Sequence, residues 1–154
     1  MKRIQALLFF LVLSMSCQSR RTQDTPTGSD DSSMAMRPAP LPADTLCFRQ
    51  VIKQDTTTLK LVVNGSTVSG YLDIDPFEKD QAKGPLSGTI RGNQIQTEWQ
   101  RSGEGVTQTY VLTLTLNPNT VTWPEGERVD KKGRWELKSP TGNYTYALAR
   151  ISCP

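Results

Sequence analysis

Four acidic residues, Asp73, Asp75, Glu78 and Asp80, form the densest group of candidate metal ligands or acid–base residues in this 154-residue chain. Hard cations such as calcium need several oxygens at close range, and paired carboxylates can hydrolyse glycosides. The spacing lacks the glycine and the final glutamate of an EF-hand loop, and Lys79 stands inside the group. Nothing in the sequence pairs any two of these carboxylates across a cleft. A solvated loop explains them better than a calcium site or a glycosidase pair. Histidine is absent from the chain, which removes the commonest general base and the commonest transition-metal ligand. No serine or cysteine then has an imidazole to activate it. The expectation is a protein without catalytic residues, metal or cofactor.

The three cysteines have different surroundings. Residues 1–16 read as a signal peptide: Lys2 and Arg3 come first, and residues 6–13 form an unbroken apolar run. That run is shorter than the roughly 20 apolar residues that cross a bilayer. Leu13-Ser14-Met15-Ser16-Cys17 resembles a bacterial lipobox. The resemblance implies that Cys17 carries acyl chains, palmitate among them, and opens the mature protein. Ordinary secretion with a free Cys17 thiol is the alternative. By the sorting rule of enteric bacteria, Gln18 after the cysteine implies the outer membrane. Cys47 and Cys153 then remain as an even pair in an oxidising compartment, where a disulfide is expected.

Residues 17–44 contain few bulky apolar side chains, and Pro38, Pro40 and Pro42 alternate near their end. Such a segment cannot bury enough surface to offset the entropy of ordering, so it reads as a disordered tether. Residues 45–154 are the predicted folded domain. Leu59, Leu61 and Val63 alternate with polar neighbours, as do Ile95, Thr97 and Trp99, and Tyr110, Leu112, Leu114 and Leu116. A period of two buries one face of a strand and wets the other. Asn64-Gly65 and Gly92-Asn93 suit tight hairpins. The fold class is therefore all-β: an antiparallel up-and-down meander, closing into a small barrel that leaves no free edges. In an even-stranded meander the first strand begins at the end where the last one finishes. A Cys47–Cys153 bridge thus favours about eight strands, or a ninth segment that does not cross the barrel.

Connections in a meander alternate between two ends. Tight turns at 64–66, 92–93 and 117–119 are predicted at one end. Longer loops at 75–85, 101–106 and 124–133 are predicted at the other, together with the 53–57 connection. The tether enters at the tight-turn end, so the long-loop end is expected to point away from the membrane. It would carry Phe77, Glu78, Asp80, Glu104 and Glu127 towards a partner. The mixed charges from Glu125 to Arg134 read as a solvated turn.

Gly133-Arg134-Trp135 resembles the Gly-x-Trp of lipocalins, which bears on barrel architecture alone. Taken whole, the chain resembles small lipoproteins of Bacteroidota. Cys47, Glu78-Lys79-Asp80, Gly84, Gly88, Gly92-Asn93, Glu104-Gly105 and Cys153 carry that likeness. It implies no activity. The net charge of +3 falls to about +1 once Lys2 and Arg3 leave with the signal peptide, which gives no basic footprint for nucleic acid. The expected partners are the membrane, through the N-terminal lipid, and a small apolar ligand or an envelope protein. The expected role is a binding barrel without enzymatic activity, or else an inhibitor or accessory subunit. Replacing Cys17 by serine is expected to release the protein from the membrane fraction, because several acyl chains anchor stably where none remain. Cell fractionation followed by immunoblotting checks this, and a variant that stays membrane-bound contradicts it.

Overall fold

Alternating apolar residues and tight turns produce six strands that follow one another as an antiparallel meander. They are β1 (Asp44–Ile52), β2 (Asp55–Asn64), β3 (Thr67–Asp75), β4 (Ala82–Arg91), β5 (Gln94–Gly103) and β6 (Val106–Leu116). β7 (Thr120–Glu125) returns beside β6. A short hairpin, β8 (Arg128–Lys131) and β9 (Arg134–Leu137), precedes β10 (Tyr144–Ile151). This is a computed structural model and describes residues 43–154. The expected signal peptide, the Cys17 lipid site and nearly all of the tether lie outside the described residues.

Hydrogen-bonded neighbours run β5-β4-β3-β2-β1-β10-β7-β6, and β6 pairs with β5 to close the ring. The domain is thus the eight-stranded, lipocalin-like barrel that the periodicity predicts. The additional hairpin does not cross the barrel. β9 lies parallel to the first half of β6, with Thr109 opposite Arg134 and Tyr110 opposite Trp135. Cys47 and Cys153 are disulfide-bonded at the tight-turn end, with their Cα atoms 5.2 Å apart.

Inward-facing residues fill the barrel. Trp99, Trp123, Phe48, Leu59, Leu61, Leu72, Ile95, Leu112, Leu114 and Leu148 are all essentially fully buried and belong to one core. Gly84 and Gly88 occupy inward positions on β4. A Cβ at either would run into a carbonyl oxygen of β5, Gln100 or Gln96 respectively. These glycines let β4 coil tightly enough for a small barrel to close.

Two ladders are short. β10 pairs with β1 from Cys47–Ile151 to Arg49–Ala149, three pairs in all. β6 pairs with β7 through Thr115–Thr122 and Leu116–Val121 alone. Between these seams β7 and β10 stay paired to each other along their length, from Tyr144–Glu125 to Ala149–Thr120. The β7–β10 ribbon therefore joins the barrel at the disulfide end and leans away from it at the other. Pro124, near the end of β7, has no N–H to extend a ladder. Across the first seam Gln50 Nε2 donates to Ala147 O at 2.9 Å, where the backbone pairing has already ended.

Three connections differ from the sequence expectation, and the first is 124–133, expected as a longer loop, which contains the strand β8. The connection expected over 53–57 and the longer loop expected at 101–106 are both two-residue turns, at Lys53-Gln54 and Glu104-Gly105. Lys53 and Glu104 adopt left-handed φ values of 56° and 52°. Non-glycine residues do so uncommonly, so Lys53-Gln54 carries no turn signature in sequence. Removing the disulfide with Cys47→Ala/Cys153→Ala is expected to lower Tm by on the order of 10 °C, since the bridge closes nearly the whole domain into one loop. Calorimetry of both proteins checks this, and equal transitions would show that the two short ladders hold the barrel unaided.

Candidate functional site

The alternation that fills the barrel continues past the core. At the end away from the disulfide it turns polar and aromatic groups inward. Ile74 of β3, Arg101 of β5, Tyr110 of β6, Glu125 of β7 and Tyr146 of β10 line a cleft of about 590 Å³, with Asp80, Arg128 and Trp135 also in its wall. The filled interior forms its floor, where Trp99 is buried and donates its indole N–H to Gly84 O at 3.2 Å.

Arg128 builds one wall. Its Nε donates to Glu125 Oε1 at 2.7 Å and its Nη2 to Glu125 Oε2 at 2.9 Å, a bidentate pair. Nη1 donates to Val111 O at 3.1 Å and to Trp135 O at 3.0 Å. The guanidinium thus bridges β6 and β9 beyond the point where the β6–β7 ladder ends. The Arg128 and Glu125 side chains are 5% and 14% exposed. Residues 125–134 were expected to be a solvated turn. Arg128 overturns that for its own part of the run, because a planar fork with five donors satisfies a carboxylate and two backbone carbonyls together. Asn143 N–H donates to Glu125 O at 2.8 Å, which fixes the chain that carries the pair.

Tyr110 is the centre of the aromatic lining. Trp99 meets it edge-on at 6.0 Å between centroids, and Trp135 lies 6.3 Å away. Two cations lie over its ring, Arg128 at 4.6 Å and Arg101 at 5.4 Å. The arginines differ in one respect. Arg128 is neutralised by Glu125, whereas among the described residues Arg101 has no carboxylate partner and makes no side-chain hydrogen bond. On the opposite wall Tyr146 stacks on Trp123 at 4.7 Å and 19°, and Tyr144 meets Tyr146 edge-on. Burial pushes the hydroxyl pKa of both tyrosines above the ordinary phenol value, so both are neutral at physiological pH. Among the described residues the buried Nε1 of Trp123 has no hydrogen-bond partner, a cost of about 1–3 kcal/mol.

A second cavity, of about 200 Å³, adjoins the first in the seam between β1 and β10. Ile52, Thr57 and Gln50 line it, and it shares Ile74, Pro76, Tyr144 and Tyr146 with the cleft.

The residues expected to face a partner all sit at this end. Phe77 is half exposed, and its N–H donates to Asp55 Oδ1 at 2.8 Å, which ties the 76–81 loop to the β1–β2 turn. Glu78 has a left-handed φ of 56°, and Glu104 lies in the β5–β6 turn. Glu127 pairs with Lys138 at 3.0 Å in solvent. Asp80 alone among them lines the cleft. The acidic group does not converge. Asp73 accepts from Gln81 Nε2 at 2.9 Å, and among the described residues no set of three or more acidic or cysteine side chains is placed to hold a metal ion.

Sequence reasoning passed over Arg101, Tyr110 as a hub, and the Glu125–Arg128 pair. A signal existed: Arg101 continues the inward parity of Ile95, Thr97 and Trp99, and Glu125 that of Val121 and Trp123. A charge on the apolar parity of a barrel strand marks a mouth or a buried pair. Comparison with known protein families, with curated proteins and with solved structures finds no match.

Breaking the pair by Arg128→Met is expected to cost about 3 kcal/mol or more, because Glu125 is left buried and unpaired. The double variant Glu125→Leu/Arg128→Met should cost less than that single change. Urea unfolding of the variants checks this; a double variant no more stable than Arg128→Met would assign the effect to the two backbone carbonyls instead.

Proposed function

We propose that this protein is an envelope lipoprotein, anchored by lipid on Cys17, whose barrel binds a partner non-covalently through its long-loop mouth. One observation carries the binding role: a cleft of about 590 Å³ at the end opposite the disulfide, walled by Tyr110, Trp135 and Tyr146 and holding Arg101, which among the described residues has no counter-ion. Ligand sites are concave and place a few polar groups among apolar ones, and this mouth sets charged side chains beside aromatic rings in one concave space. The filled core restricts the role to the mouth, since the barrel interior is occupied by its own side chains. β1 begins at the disulfide end, so the chain enters the barrel at the end opposite the mouth, which supports a mouth free of the tether.

An inhibitor or accessory subunit is favoured by a different feature. Val51, Ile52, Phe77, Val106 and Tyr144 are large apolar residues near half exposed or more, and all five lie at the mouth end. Exposed apolar rims with aromatic members mark protein contacts.

Two-dimensional NMR of the isotope-labelled chain with a set of small aromatic and polar fragments tests the mouth. The expected result is a group of shifted amides at Tyr110, Trp135 and Tyr146, with Asn93 and Asn119 at the opposite end unmoved. Shifts confined to the disulfide end, or none at all, would refute binding at the mouth. A photo-crosslinker at Phe77 that captures one envelope protein, when the same group at Asn93 captures none, would favour the accessory role.

A further inference from the structure

We propose that the mouth selects small arylalkyl carboxylates, with the carboxylate on Arg101 and the aromatic ring in the adjoining β1–β10 seam. This rests on the mouth being a binding site and adds the chemical class of its ligand.

The head-group site follows from how the charges are distributed. Four charged side chains line the cleft: Asp80, Arg101, Glu125 and Arg128. Glu125 and Arg128 satisfy each other in a bidentate pair and are mostly buried. Asp80 is exposed on its loop, where water solvates it. Arg101 is different. It is partly buried, its guanidinium lies over the Tyr110 ring at 5.4 Å, and among the described residues no carboxylate pairs with it. A guanidinium over a ring keeps its N–H fork available, and that fork matches the two oxygens of a carboxylate. Partial burial strengthens such a pair relative to one in open water.

The body of the ligand is set by the neighbouring space. The seam cavity shares Ile74, Pro76, Tyr144 and Tyr146 with the cleft, so one molecule can occupy both. Its volume is about 200 Å³. An apolar cavity of about 150 Å³ takes up benzene, so the seam has room for one phenyl ring. Ile52, Ile74 and Pro76 give that ring apolar contacts, and Tyr144 and Tyr146 give it aromatic partners. Asp55, the one acid of the seam, already accepts a hydrogen bond from the Phe77 N–H. A long acyl chain has no comparable place, because the core fills the barrel beneath.

Calorimetric titration of the purified chain with phenylacetate, 3-phenylpropionate and 4-phenylbutyrate tests this, alongside the uncharged amide of each. One acid is expected to bind with a Kd on the order of 1 mM or tighter, as small ligands of this size do. Its amide should bind at least tenfold more weakly. Arg101→Gln should weaken the acid by at least tenfold and leave the amide unchanged, while Arg101→Lys should retain part of the preference. A two-dimensional NMR spectrum of each variant verifies that it is folded. Equal binding of acid and amide to the wild-type chain would overturn the carboxylate assignment and leave mouth binding standing. So would undiminished acid binding by folded Arg101→Gln. Absence of binding by every acid, together with fragment shifts at Tyr110 and Tyr146, would overturn the ligand class alone. Absence of both would remove the mouth as a site.

Discussion

Closure of the barrel depends on two short ladders beside the β7–β10 ribbon, three pairs to β1 and two to β6, all near the disulfide end. Every other neighbouring pair in the ring is laddered along most of its length. The ring is therefore tight at one end and open at two seams towards the other. This asymmetry creates the two adjoining cavities and decides which residues line them. It also explains why single side chains matter at the mouth. Gln50 and Arg128 each supply, across one seam, hydrogen bonds to carbonyls that the backbone ladder no longer reaches. The Cys47–Cys153 bond strengthens the closed end, where β1 and β10 are still in register. The protein thus places its covalent restraint and its best-buried core together, and its polar, less regular features at the other end.

How much of this the sequence discloses depends on range. The meander from Leu59 to Leu116 was legible because period-two alternation and Asn-Gly or Gly-Asn turns are local signals. The disulfide was legible from cysteine count and compartment, and its position then limited the number of strands that cross the barrel. Strand parity even allowed for the β8–β9 hairpin as a segment that does not cross. The Glu125–Arg128 pair was not legible. A run of mixed charges looks the same in sequence whether it is solvated or folded over a seam, and the distinction comes from Val111 and Trp135, whose carbonyls lie far away in the chain. The turns at Lys53-Gln54 and Glu104-Gly105 are tighter than the connections expected there, because lysine and glutamate adopt a left-handed backbone that glycine or asparagine usually provides.

The candidate site shows the same division. Connection parity puts Phe77, Glu78, Asp80, Glu104 and Glu127 at the end away from the disulfide, which is where they lie. Parity does not say which side chains turn inwards, and of these five only Asp80 lines the cleft. The inward set comes instead from strands: Arg101, Tyr110, Glu125 and Tyr146. Each keeps the parity of the core residues below it, so the cleft is the last layer of the barrel interior rather than a feature of the loops. That origin makes its floor rigid, since Trp99 is held by its hydrogen bond to Gly84 O and by its edge contact with Tyr110.

A barrel filled by Trp99, Trp123 and Phe48 cannot enclose a large ligand without displacing side chains that are essentially fully buried. Displacing one such aromatic side chain would forfeit about 3–5 kcal/mol of packing, more than a small ligand readily returns. The mouth faces no such penalty. Its cavity exists already, and Arg101 lies over Tyr110 with no carboxylate partner among the described residues whose loss a ligand would have to offset. Pre-formed space and an unpaired guanidinium lower the cost of binding at this end for the same reason that a full core raises it elsewhere. For the proposed acidic ligand, the small volume of the seam, about 200 Å³, would set an upper bound on the apolar body beside the head group. On that proposal size and charge would be set by separate parts of the fold, the first by how far β10 departs from β1 and the second by Arg101, the mouth arginine that does not pair with Glu125.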